Sequence, residues 1–226
     1  MKKRLVILAA VAAITLPAIS SAASARPGPY FSAFIGATSA QDSDATTYDY
    51  LLPQTFHDRV EFDPGIYVGG TGGYDFGIIR LEGELSFRDA EMKTITDRDT
   101  GDRYHNIDGN LGVLAMMVNA FFDLHNSTPV TPYVGGGIGL AAFNLDDTYG
   151  TDSGGSRAFI YSDGDDTVFA YQVGGGLEIA LNRMLSLDLG YRYFVTDTAT
   201  FDDDWSRSTR FKYESHNGSL GLRLKF

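Results

Sequence analysis

The residues from Leu220 to Phe226 constrain this chain most. Leu220, Leu222, Leu224 and Phe226 alternate with Gly221, Arg223 and Lys225. A strand sends successive side chains to opposite faces, so one face here is wholly apolar and the other is small or cationic. A helix would scatter both sets around its circumference. A soluble sheet gains little from a row that closes on an exposed Phe. A strand with one face in lipid and an aromatic at the interface has a direct use for it. That reading demands segments of about ten residues with the same period, separated by turns, along the whole chain.

The sequence meets that demand. Strands are expected over Tyr30–Thr38, Phe62–Tyr74, Ile79–Phe87, Asn110–Phe122, Thr131–Leu145, Val168–Leu181, Leu185–Val195 and the final segment. Ile79–Phe87 is the clearest of the early ones: Ile79, Leu81, Gly83, Leu85 and Phe87 oppose Arg80, Glu82, Glu84, Ser86 and Arg88. The connections sort by parity. Polar stretches Ser39–Val60, Lys93–Ile107, Asp146–Thr167 and Thr196–Lys212 follow the odd strands as long loops, and short turns at Asp75-Phe76-Gly77, Asp123–Thr131 and Asn182-Arg183-Met184 follow the even ones. A soluble sandwich has no reason to sort its loops this way, whereas a membrane barrel sends long loops to the extracellular rim and turns to the periplasmic one. The expected fold is all-β: an eight-stranded antiparallel up-and-down transmembrane β-barrel, closed by pairing of the last strand with Tyr30–Thr38.

The second face separates the barrel from a sandwich. In a sandwich it would meet water and be richly charged. Here Gly, Ala, Ser and Tyr dominate, with a few isolated charges, as a narrow filled lumen requires. Arg80, Arg88, Arg192, Arg223 and Lys225 nearly balance Glu82, Glu84, Glu178 and Asp188. Strand direction puts Arg80, Glu82, Glu178, Asp188 and Arg223 toward the periplasmic half and Glu84 and Arg192 nearer mid-depth. Buried charges are tolerated when paired and hydrogen-bonded. The expectation is a lumenal ion-pair network of Arg80, Glu82, Glu84, Glu178, Asp188, Arg192 and Arg223 that plugs the barrel; the alternative is separate charges, each solvated in lumenal water.

Composition narrows the class further. Lys2, Lys3 and Arg4 precede an apolar run and the Ala23-Ser24-Ala25 site, the pattern of a cleavable secretory signal over residues 1–25, with Ala22 or Ala23 as alternative cleavage points. Residues 26–226 are then the barrel domain. Loss of those three cations takes the formal charge from −11 to −14, which argues against nucleic acid as a partner because phosphate contacts need clustered Lys and Arg. With no Cys, disulfide frameworks, zinc knuckles and thiol nucleophiles are excluded. After Ala25 no segment approaches the ~20 apolar residues of a spanning helix.

Tyr133-Val-Gly-Gly-Gly-Ile-Gly-Leu-Ala, Ala170-Tyr-Gln-Val-Gly-Gly-Gly-Leu-Glu, Leu185-Ser-Leu-Asp-Leu-Gly-Tyr-Arg-Tyr and Leu222-Arg-Leu-Lys-Phe resemble the small outer-membrane β-barrel proteins of Gram-negative bacteria, among them the opacity-type surface proteins, the OmpA membrane domain and related surface antigens. The resemblance implies an eight-stranded barrel with variable surface loops. It also implies a final strand read by the barrel-assembly machinery, here through Leu220, Leu222, Leu224 and Phe226. It does not select among adhesion, membrane integrity, immune interaction and slow solute passage.

No catalytic residues, cofactor site or metal site are expected. A lipid A deacylase of barrel type needs an outward Ser and His with a carboxylate; His216 is followed two residues on by Gly218, and Ser215 and Ser219 face inward. The Gly135–Gly139 run lacks the helix of a dinucleotide fingerprint and reads as room for inward Tyr and Arg. Asp146, Asp147, Asp152, Asp163, Asp165 and Asp166 would suit Ca²⁺ by residue type, and through it lipopolysaccharide, but match no EF-hand; a solvated acidic loop is the simpler reading. Asp163, Asp165, Asp166 and Trp205 are the loop contact candidates. The expected function is surface interaction, as an adhesin or surface antigen facing a host or environmental ligand, with outer-membrane lipid and lipopolysaccharide as neighbours. A narrow gated porin is the alternative, and a lipid A-modifying enzyme the third reading.

Overall fold

The computed structural model describes residues 27–202 and 207–226; the leader at 1–25 and Trp205 lie outside the described residues. Eight strands close a ring: β1 (Gly28–Ala40), β4 (Gly65–Asp75), β5 (Ile79–Asp97), β7 (Asn110–Asp123), β8 (Val130–Leu145), β11 (Gly164–Ala180), β12 (Leu185–Asp202) and β13 (Arg207–Lys225). Each pairs antiparallel with the next, and β1 closes on β13 from Tyr30↔Lys225 to Ala40↔Ser215. The ring and its closing pair are those the alternation predicts. Among the described residues, five shorter strands lie in the long connections: β2 (Ser43–Asp49), β3 (Gln54–Phe62), β6 (Arg103–Asp108), β9 (Thr148–Thr151) and β10 (Arg157–Tyr161).

The short turns are set by side chains. Asp75 Oδ1 accepts from the Gly77 amide at 2.8 Å, and Gly77 takes φ +101°, a conformation open to glycine at no steric cost. Asn182 Oδ1 accepts from the amides of Met184 and Leu185, both at 2.9 Å.

The outward faces carry a lipid belt. On β5 it runs from Ile79 to Phe87, on β7 from Phe122 to Leu114, and on β13 from Leu220 to Phe226, all exposed in the isolated chain. The β5 and β7 spans match the ~9–11 tilted residues that cross a hydrocarbon core.

Above the belt the sequence reading and the structure part company. Most of the four long connections are strand rather than loop. β1 continues through Gln41–Asp42 into β2, which pairs with β13 from Thr46↔Arg210 to Asp49↔Arg207. β3 pairs with the upper end of β5, from Asp58↔Asp97 to Phe62↔Met92, and leads down into β4. β6 pairs with β5 and with β9, and β10 with β9. The barrel wall therefore rises well past the membrane.

The physical reason lies in β5. Its burial alternates without a break from Ile79 to Lys93. Below Arg88 the outer row is apolar and the inner row polar. Above it the outer row becomes Asp89, Glu91 and Lys93, and the inner row becomes Ala90, Met92 and Thr94. The period is kept while the polarity of each face is exchanged at the edge of the belt.

Candidate functional site

The lumen has two storeys. The lower one, inside the belt, is polar. Arg223 Nη1 lies 2.5 Å from Glu178 Oε2, and Nη2 lies 2.5 Å from Asp188 Oδ2. Tyr133 Oη donates to Asp188 Oδ1 at 2.6 Å. Lys225 Nζ reaches Glu178 Oε1 at 2.8 Å and Asp75 Oδ2 at 3.2 Å. The Arg80 guanidinium, fully buried, sits 3.5 Å from Glu178, 3.6 Å from Asp123 and 3.9 Å from Glu82, and its Cζ is 4.6 Å from the centre of the Tyr133 ring. Tyr30 Oη donates to Glu82. Groups so deeply desolvated are tolerable only together: removing one partner of such a pair costs about 3–5 kcal/mol.

At mid-depth Glu84 accepts from Ser86 Oγ (2.8 Å), Gln172 Nε2 (2.9 Å), Asn119 Nδ2 (3.0 Å) and Tyr67 Oη (3.1 Å). Arg88 Nη2 is 3.9 Å away. Arg88 donates to Asn217 Oδ1 at 3.2 Å and Ser86 Oγ at 3.1 Å, and its guanidinium lies 3.9 Å from the centre of the Phe194 ring and 4.7 Å from that of Tyr67. Arg192 differs from the rest. Among the described residues it has no carboxylate oxygen within 4 Å; it packs over Phe121 at 4.5 Å and Tyr133 at 5.6 Å and donates to the Tyr191 carbonyl at 3.1 Å. Inward glycines make room for these side chains: a Cβ on Gly176 would stand 2.5 Å from Tyr133 Oη.

Asp75, Asp123 and Lys225 join this cluster although the expected network omitted them, and Arg88, seen as inward, proves central. Asp75 and Asp123 stand where the sequence predicts turns. Their parity held the signal: Asp75 continues the inward row of Tyr67 and Thr71, and Asp123 that of Phe121.

The upper storey is apolar. Phe143 packs against Phe201, Phe211 and Tyr213 at ring separations of 6.3, 5.9 and 5.9 Å, with Phe201 and Phe211 stacked at 5.3 Å. Val60, Met92, Ile95, Leu111, Val113 and Leu145 complete the filling. Among the described residues, one gap of about 20 Å³ lies beside Tyr161 and Phe201 and another of about 10 Å³ among Val60, Met92 and Phe211. Each is near the size of a single water. Near the top, Tyr161 Oη donates to Asp58 Oδ2 at 2.7 Å. Burial pushes the Asp58 carboxyl above its ordinary range, helped by Asp97 and Asp99, and pushes the Tyr161 hydroxyl well above its own.

On the outer wall at the top of the belt, His216 has both ring nitrogens engaged, Nδ1 by Tyr191 Oη at 2.6 Å and Nε2 by the Gln41 side-chain amide at 3.1 Å. Ser39 stands opposite it across the β1–β13 pair. The neighbouring Glu214 is bonded to Tyr193 Oη and to Lys212, the latter at 3.1 Å.

The loop carboxylates are largely spent on the backbone. Asp166 accepts from the amides of Thr167 (2.7 Å) and Thr200 (2.8 Å), Asp147 from that of Asp163 (3.0 Å), and Asp152 from those of Gly154 (2.8 Å) and Ser156 (2.9 Å). Asp163 and Asp165 point outward, exposed. Among the described residues no three His, Asp or Glu side chains converge as a cation site would need.

Comparison with known proteins agrees with this architecture. Residues 6–226 match the family model of the outer membrane protein beta-barrel domain. The chain is 30% identical over 190 residues to the outer membrane protein PagN of Salmonella typhimurium, spanning 76% of this chain and 77% of that protein. It is 38% identical over 118 residues to an uncharacterized protein of Brucella abortus, spanning 50% of this chain and 41% of that protein. Among solved structures, the outer membrane protein OprG of Pseudomonas aeruginosa superposes with a TM-score of 0.59 at 14% identity, over 91% of this chain and 99% of that one; that likeness is one of fold.

Proposed function

We propose a surface-contact role for this chain, which belongs to the outer membrane protein β-barrel domain family. It is an integral outer-membrane protein, and its apolar belt meets the lipid of that membrane. One observation carries the proposal. The lumen is filled twice over, by a charged storey within the belt and an aromatic storey above it. A barrel that passes nothing works where it touches other molecules, and the raised wall, acidic outside and packed inside, is a rigid platform for such contacts. Functional groups on a rigid scaffold hold their geometry without an ordering cost on binding. The partners in this reading are lipopolysaccharide around the rim and a host or environmental ligand on the outer face, where Asp163, Asp165 and Trp205 remain contact candidates.

The rest of the reading follows the same logic. The ion-paired cluster of Arg80, Glu82, Glu84, Glu178, Asp188 and Arg223 acts as the lower plug, with Arg192 filling space beside it. The leader over residues 1–25 directs export, and the outward row Leu220, Leu222, Leu224 and Phe226 is the feature offered to the barrel-assembly machinery. Conductance tests the central claim. Refolded protein in a planar bilayer is expected to add no steady current to that of the bare membrane. A large, stable single-channel step would overturn the plug and favour a narrow porin.

A further inference from the structure

The extracellular wall ends in an apolar finger. Between β2 and β3 the turn Tyr50-Leu51-Leu52-Pro53 crosses from Asp49 to its partner Gln54. Tyr50, Leu51 and Leu52 are 62%, 71% and 66% exposed. Tyr48 and Phe56 add half-exposed rings on the flanks, with Tyr48 and Tyr50 in edge contact at 4.8 Å. This group lies far above the lipid belt, so lipid of the chain's own membrane does not explain it. Single exposed apolar residues are ordinary, but a contiguous cluster at the tip of a projection marks an interaction site.

The finger is also held ready. Asp49, itself buried, accepts from the amides of Leu51 (2.9 Å) and Leu52 (3.0 Å) through Oδ1, while Oδ2 lies 3.3 Å from Arg207 Nε. The carboxylate thus fixes the turn to β13 and keeps both leucines pointing away from the barrel. A preorganised apolar tip loses little entropy on docking and has the character of a hot spot.

The surroundings select the partner. The segments above the belt hold far more Asp and Glu than Lys and Arg. Close to the finger, Asp202 ends β12 opposite Ser208, which in turn pairs with Tyr48. The carboxylates of the hairpin and its neighbouring wall are answered locally, Asp49 by Arg207, Asp99 by His57 and Asp44 by Arg98, so the negative balance is that of the rim as a whole. A rim of that net charge repels polyanions and steers cationic surfaces. We propose that Tyr50, Leu51 and Leu52 form a docking finger for a protein partner that offers an apolar face within a basic surround. This deepens the surface-contact reading and rests on it.

The test uses the full barrel in lipid nanodiscs and a tethered synthetic amphipathic helix of leucine and lysine as probe, with empty nanodiscs subtracted. The wild-type protein is expected to bind, more weakly as salt rises. Leu51→Ser with Leu52→Ser is expected to lower the affinity at least tenfold, while the heated-versus-unheated gel shift confirms a folded barrel. Asp49→Ala, which keeps the leucines and frees the turn, is expected to fall between the two. Equal binding by the double variant would overturn the finger, and equal binding of a leucine–glutamate helix would overturn the basic partner. Finger-dependent flotation with phosphatidylcholine vesicles would also overturn it, replacing a protein face by a bilayer. A steady conductance with finger-dependent binding intact would sink the surface-contact reading and leave the finger standing.

Discussion

Asp58 shows at one residue how the upper storey balances burial against charge. Its carboxylate lies against Tyr161, with Asp97 and Asp99 adding repulsion and His57 opposing it. Burial disfavours the charged form, so the folded-state pKa stands above the unfolded one. The favourable contribution of the neutral acid is therefore complete below about pH 3.9 and is lost as pH rises through the raised value. Asp58→Asn keeps an acceptor for Tyr161 and removes the charge. Near-UV circular dichroism during heating should show the upper storey a few degrees more stable than wild type at pH 7 and no more stable at pH 3. A gain of equal size at both pH values would show that the charge is not the cause. Nothing in the sequence marks Asp58, which reads as one acid among many in a polar stretch; only the fold brings Tyr161 to it. Arg223 is the opposite case. Its inward parity and the opposed carboxylates were legible, because Glu178 and Asp188 flank one short turn and Arg223 lies on the adjacent final strand.

At the scale of the element, β5 explains both what was legible and what was not. Within the belt, lipid forces one face to be uniformly apolar, so the strand declares itself from Ile79 to Phe87. Past Phe87 the outer face meets water, and Asp89, Glu91 and Lys93 make the segment look like a loop. The inner residues that hold it as strand, Ala90, Met92 and Ile95, become meaningful once Val60, Leu111 and Phe143 are known to lie across from them. The same exchange hides β2, the top of β12 around Ala199 and Phe201, and the start of β13 around Phe211 and Tyr213. If packing holds these extensions, Phe143→Ala should loosen them selectively. Emptying a site bounded by Phe201, Phe211 and Tyr213 costs about 3–5 kcal/mol. Hydrogen–deuterium exchange is expected to quicken in the upper parts of β8, β12 and β13 and to stay unchanged opposite the belt. Uniform acceleration down to Phe122 and Leu224 would mean that the two storeys open as one unit.

At the scale of the molecule, the two storeys stand in series. A path through the barrel has to cross the Glu84–Arg88 layer, where Arg88 is wedged against Phe194 and Tyr67, and then the Phe143 layer above it. Resistances in series add, so opening one layer leaves the other in control. Replacing Phe143, Phe201 and Phe211 by Ala removes the aromatic block but leaves the charged layer and its hydrogen bonds in place. Replacing Arg80, Arg88, Arg192 and Arg223 by Ser removes the cations that fill the charged storey but leaves the aromatic block. In planar bilayers each set alone should be as silent as wild type, and the two combined should give discrete, steady current steps. Gel mobility before and after heating verifies that each variant remains a folded barrel, since voids and freed carboxylates both weaken it. If the Ala set alone conducts as well as the combination, the charged layer is no barrier, and the lower storey is a wetted lumen closed solely from above. If the Ser set alone does so, the aromatic layer is porous, and the raised wall serves only as a platform.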